Sequence, residues 1–230
     1  MTSRPPLFSL TLLSACALGY EILLIHLFAI IRHHHFASMV ISLALIGYGL
    51  SGTCLSIWRL PLSRLYPAVY ISCIIFFGCS VLGSFLLAQQ IPFNGDEVIW
   101  DKYQLVYLCG QFLLLLLPFF FAATAIGLTL YVHPLRITTV YGFDLMGAGA
   151  GSLLLILFLF LLSPENVLTG ISCLGLLAAI TGAAELQTRR RAVTAVTVLL
   201  LLAAVFYTGL SATLKISPYK SLMYVLRVEG

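Results

Sequence analysis

Seven stretches of about 20 or more mainly apolar residues follow one another along this chain, and that recurrence leaves few folds open. They lie near residues 7–31, 36–58, 67–89, 104–131, 137–162, 166–184 and 192–212. Each is long enough to cross a hydrocarbon layer of about 30 Å as an α-helix. Strands of a membrane barrel are about 10 residues long and alternate in polarity, whereas these runs are apolar on every side, so helices are expected. With 61% apolar and 9% charged residues, the chain has too little polar surface to cover a water-soluble domain. The predicted fold class is all-α: a polytopic transmembrane helical bundle over residues 1–212, with a short extramembrane tail over 213–230.

Ordinary helix breakers separate the runs: Arg32 to His35, the Pro61 segment, Gln89 to Tyr103, His133-Pro134, Ser163 to Asn166, and Glu185 to Arg191. No internal duplication stands out, and seven helices are few for a carrier built from paired repeats. Positive residues in short loops favour the cytoplasmic side. An inside N-terminus puts Arg4, Arg59, Arg64, Arg136 and Arg189 to Arg191 there, and the loop with Asp96, Glu97 and Asp101 outside. Seven crossings then leave Lys215, Lys220 and Arg227 outside as well, so the charge rule gives no single consistent orientation.

Leu13-Ser14-Ala15-Cys16 has the form of a lipoprotein cleavage site, but Leu18 to Ile31 stays apolar apart from Glu21 and His26, which is the pattern of a retained helix. The six cysteines, at 16, 54, 73, 79, 109 and 173, lie within or at the edges of the runs and include no CxxC pair, so packing is their expected role. His33, His34 and His35 are consecutive and cannot share a helix face, while His26 and His133 stand alone; no metal and no cofactor are expected.

Two runs each carry a lone carboxylate, Glu21 in the first and Asp144 in the fifth. An ionised group near the bilayer centre costs between about 3 and more than 10 kcal/mol, so such a side chain faces the bundle interior and is a candidate functional residue. Helical spacing sets Glu21 with Ser14, Ala17 and Leu24, and Asp144 with Tyr141, Gly147, Ala148 and Gly151. Small residues on these stripes, and at Gly47 and Ser51 on the second run and Ala15 and Gly19 on the first, allow close helix packing, with Gly147 and Gly151 the plainest pair. Two readings stay open at this point: the acids hold helices together, or they handle a cation or a proton.

Leu18-Gly19-Tyr20-Glu21-Ile22-Leu23, His35-Phe36-Ala37, Met39 to Gly49, and above all Tyr141-Gly142-Phe143-Asp144-Leu145-Met146-Gly147-Ala148-Gly149-Ala150-Gly151 resemble the membrane portion of bacterial spermidine-synthase-like proteins. The resemblance spans most of the chain in order and continues into Ile216 to Leu222, which is similar to the stretch joining that portion to a soluble aminopropyltransferase-type domain. It implies a transporter-like module of the bacterial inner membrane, embedded in the lipid bilayer. The family's catalytic half would begin beyond Gly230, and no glycine-rich nucleotide loop follows a strand here, so no catalytic residue is expected in this chain.

Sites for polyamines need carboxylates for the ammonium groups and aromatic faces for the methylene chain. Glu21 with Tyr20, and Asp144 with Tyr141 and Phe143, supply those types. The expected function is a module that binds or transports a small cation such as a polyamine, alongside an aminopropyltransferase-like domain or chain. The alternative is a non-catalytic anchor or assembly subunit. Further copies of the chain are an open partner, and no nucleic-acid partner is expected.

Overall fold

The computed structural model describes residues 4–31, 34–92, 102–187, 195, 197–199 and 201–205. Six long helices follow in order: α1 (Leu7–Ile31), α2 (His34–Arg64), α3 (Tyr66–Gln90), α4 (Lys102–Val132), α5 (Ile137–Leu161) and α6 (Pro164–Glu185), with one 3₁₀ turn, Pro134–Arg136, before α5. All six have membrane-spanning length and hydropathy, and no strand occurs among the described residues. The protein is an integral membrane α-helical bundle. Residues 197–199 and 201–205 of the seventh apolar run are helical, and Val198 is fully buried; the predicted tail over 213–230 lies outside the described residues.

The Pro61 segment interrupts the second helix where the sequence pattern placed its end: two helical pieces meet at Trp58, and the second carries Pro61 to Arg64. The proline ring cannot accept the helical geometry of the preceding turn, and the misfit is absorbed at Trp58, whose φ of −107° and ψ of 21° kink α2 before it runs on to Arg64.

Contacts between helices fix the layout. α1 packs on α5, α6 and α2; α4 packs on α2, α3 and α5; α3 packs on α6. Exchanging α1, α2 and α3 for α4, α5 and α6 turns this set of pairings into itself. The registers agree: Gly147 and Gly151 of α5 lie on Thr11 and Ala15 of α1, while Gly47 of α2 lies on Phe119 of α4 and Ser51 bonds Thr124. Both pairs are therefore parallel. α1 runs antiparallel to α6, with the Ser9 hydroxyl donating to the Ala178 carbonyl at 2.7 Å and Gly19 facing Ile171. α3 likewise runs antiparallel to α4, with the Gln111 amide donating to the Ala88 carbonyl at 2.9 Å and Phe76 stacked on Phe121.

The bundle is thus two units of three helices in inverted orientation, an architecture found in many carriers. The sequence carries the trace once the structure supplies the alignment. Ala15-Cys16-Ala17-Leu18-Gly19 of α1 lies over Ala123-Thr124-Ala125-Ile126-Gly127 of α4. Val40, Leu45, Gly47, Gly49 and Leu55 of α2 recur at the same spacing as Val140, Leu145, Gly147, Gly149 and Leu155 of α5. Pro67, Ile74 and Gly78 of α3 recur as Pro164, Ile171 and Gly175 of α6. The expectation of no duplication is corrected: three to five scattered identities per helix fall below what a linear reading detects.

Gly78 and Gly175 form the α3–α6 crossing, where a Cβ on Gly175 would come 3.3 Å from the Gly78 Cα and the Ser172 hydroxyl donates to the Gly78 carbonyl. At one end of the bundle Glu185 of α6 accepts the backbone N–H groups of Phe8 and Ser9, both at 3.0 Å. Those donors lie in the first turn of α1 and have no partner within their own helix, so a carboxylate there satisfies them and complements the helix dipole.

Candidate functional site

The site is built on α1, which α5 approaches so closely that backbone meets backbone. A Cβ on Gly147 would strike the Thr11 carbonyl oxygen, and one on Gly151 the Ala15 carbonyl oxygen. Only glycine permits this separation, and the separation brings the α5 carboxylate within reach of α1. The buried Ser14 hydroxyl donates to Asp144 Oδ1 and also lies 3.0 Å from the Leu10 carbonyl of its own helix. One turn away, the Thr11 hydroxyl donates to the Leu7 carbonyl at 2.9 Å and lies 3.3 Å from the Phe143 carbonyl. Asp144 itself is half-buried, so one of its oxygens is held and the group still meets open space.

Glu21 stands two turns beyond Ser14 on α1, about 10 Å along the helix axis, and is also half-buried. Tyr48 of α2 lies near both Glu21 and Asp144. Its ring meets Phe119 of α4 edge-on, with centroids 6.2 Å apart. Sequence reasoning quoted Tyr48 only as part of a family motif and missed it as a site residue. No spacing within α2 signals it, because the acids it neighbours lie on α1 and α5.

The other expected site residues are distributed differently. Tyr20 is fully buried, 5.3 Å from the Phe119 ring by centroid, with its hydroxyl 3.5 Å from that of Ser84. Its hydroxyl turns into the core beside Ser84, and neighbours in a helix diverge by about 100°, so adjacency to Glu21 in the sequence does not by itself bring the two side chains together. Tyr141 is 57% exposed on the outer side of α5, and Phe143 is half-buried. Gly47 packs on the Phe119 Cβ, where an added methyl would come within 2.8 Å, and Ser51 accepts a 3.0 Å hydrogen bond from Thr124. These two belong to the α2–α4 contact, away from Asp144.

The repeat makes the site's chemistry stand out. Ser14, Glu21 and Asp144 have Ala122, Thr129 and Ala44 as their counterparts in the other half, and Tyr48 has Ala148. The α2–α4 interface therefore has the shape of the α1–α5 interface without its acids. Thr129 shows the difference: it is fully buried and satisfied locally, donating to the Ala125 carbonyl at 2.8 Å and lying 3.2 Å from the Tyr66 hydroxyl. Among the described residues, no three of His, Cys, Asp and Glu come together. No family profile, characterised protein or solved structure matches the chain.

Proposed function

We propose that this chain is a membrane module that binds and translocates a small cation at Glu21 and Asp144, on α1 and α5. The observation that carries the reading is that the Ser14–Asp144 bond across α1 and α5, with Glu21 two turns on along α1, stands where the other half of the repeat has Ala122, Ala44 and Thr129. Helix packing alone does not ask for them, because the α2–α4 contact is made with alanine and threonine at the same places. Carboxylates held in a span are stabilised by a cationic occupant, and an inverted repeat is a common scaffold for moving one across a bilayer.

The resemblance to the membrane half of spermidine-synthase-like proteins supports a polyamine as the cation, with a proton as the simplest alternative, and an aminopropyltransferase-like domain or chain as its companion. Glu21 lies about 10 Å along α1 from Ser14, which holds Asp144, and a spacing of that order suits the terminal ammonium groups of a linear polyamine. The test is saturable binding of radiolabelled spermidine and putrescine to the protein in lipid nanodiscs. Wild type binds; Asp144→Asn and Glu21→Gln lose binding while keeping their thermal midpoints. Absence of saturable binding by wild type ends this reading.

A second reading is favoured by the Ser14–Asp144 bond, which satisfies one carboxylate oxygen inside the protein. There the module is an anchor and the acid a fastener between α1 and α5. Under that reading Asp144→Asn lowers the thermal midpoint and no cation alters it.

A further inference from the structure

The helix directions gather arginines at one end of the bundle. α2 ends there at Arg64 and α4 at Val132, while α1, α3 and α5 begin there. Among the described residues that end carries Arg4, Arg59, Arg64 and Arg136, all exposed, against one exposed acid, Glu185. Glu185 is occupied by the first turn of α1, and Asp144 lies two turns inside α5 with Ser14.

Three of these arginines flank one pocket. α2 kinks at Trp58, and the piece beyond the kink carries Ser63 to the wall of a cavity of about 620 Å³, which it shares with Leu130, Tyr131, Val132, Pro134 and Ile137. Arg64 follows Ser63 in the chain, Arg136 precedes Ile137, and Arg59 stands one helical turn before Ser63 on the same face. The Tyr131 ring is half-exposed, and its hydroxyl makes no hydrogen bond among the described residues. The positive end of the α5 dipole, at Ile137, borders the same space. Around it the apolar side chains of Trp58, Leu60 and Leu135 are exposed, Leu135 by 94%. Basic and aromatic side chains beside exposed apolar ones at a helix end mark the level where headgroups meet hydrocarbon.

Packing does not ask for this set. In the equivalent places of the repeat, toward the other end of the bundle, Leu159 stands for Arg59 and Leu23 for Tyr131.

We propose that this pocket binds the headgroup of an anionic phospholipid, with its phosphate held by Arg64, Arg136 and the Tyr131 hydroxyl and its acyl chains lying along Trp58, Leu60 and Leu135. Three guanidinium groups around a pocket with no acid in its lining select an anion. The apolar rim selects one that carries hydrocarbon over a free phosphate. Basic pockets between spanning helices are a recurrent form of lipid site. The inference stands apart from the cation reading, because neither Glu21 nor Asp144 lines this pocket.

Trp58 reports on the pocket directly. In Trp100→Phe protein it is the single tryptophan, and its fluorescence is followed in phosphatidylcholine vesicles that contain acyl-brominated phosphatidylglycerol or acyl-brominated phosphatidylcholine. The anionic lipid quenches at the lower mole fraction. Adding Arg64→Gln with Arg136→Gln removes a preference of about 30-fold, each arginine contributing about five- to sixfold, without changing the gel-filtration profile. Tyr131→Phe, which removes one oxygen and keeps the ring, lowers the preference by a smaller factor and serves as the test should the arginine pair fail to fold. Lys102→Gln, at the opposite end of the bundle, leaves it unchanged, as does inorganic phosphate. The proposal is overturned by equal quenching from the two lipids, or by a preference that survives the arginine pair or ignores Tyr131→Phe. An equal loss from Lys102→Gln overturns it as well, and displacement by inorganic phosphate would make this a site for a free anion.

Discussion

The α1–α5 and α4–α2 interfaces are the same contact built twice and spent differently. In both, parallel helices cross through glycine with a small residue one turn on: Gly147 and Gly151 in one, Gly47 and Ser51 in the other. The first adds Ser14, Glu21 and Asp144; the second has Ala122, Thr129 and Ala44 in their places. Close approach is the common structural requirement, and the acids are an addition to it. That separation of scaffold from chemistry is what gives the carboxylates functional weight.

The comparison breaks most sharply at the glycines. Gly147→Leu drives a side chain into the Thr11 backbone, which cannot move aside, and the expected result is loss of folded protein on detergent extraction, read by gel filtration. Gly47→Ala meets the Phe119 Cβ at 2.8 Å and backbone atoms from 3.2 Å, so it should fold and lose about 1 to 3 kcal/mol in a denaturant titration. Equal outcomes for Gly147→Ala and Gly47→Ala would deny that the first interface is the tighter one.

Making the first interface a copy of the second sharpens the comparison further. The Ser14→Ala and Asp144→Ala double variant should lose cation binding while losing only about 1 kcal/mol of stability, since membrane hydrogen bonds average roughly 0.6 kcal/mol and reach about 1.7. A larger loss would favour the fastener role. Glu185→Gln keeps the shape of the cap on α1 but removes its charge, for an expected cost of about 0.5 kcal/mol at low salt that fades as salt is raised. Smallest of all, Thr124→Val removes the bond to Ser51 and should shift the thermal midpoint by less than Ser14→Ala does.

The spans were legible because the length of an apolar run answers directly to the thickness of the bilayer. The α1–α5 contact was partly legible too, since glycines spaced one turn apart mark close approach whatever the partner. What was hidden follows from helices that are apolar all round. On α1 no polar face reveals which way Tyr20 points, and only the Phe119 ring shows that it turns into the core. Tyr48 reaches the acids from another helix, a relation no spacing within α2 can express. The repeat stayed hidden because only scattered positions, such as Gly78 and Gly175, keep their identity between the halves.

The Ser14–Asp144 bond joins residues 130 positions apart. At a synthesis rate of about 5 to 20 residues per second, roughly 7 to 26 s pass between the emergence of one and the other. Through that interval α1 resides in the membrane with its serine and its glutamate lacking the helix that later covers them. The Ser14 hydroxyl therefore waits many seconds for its partner carboxylate, and the speed of translation sets how long.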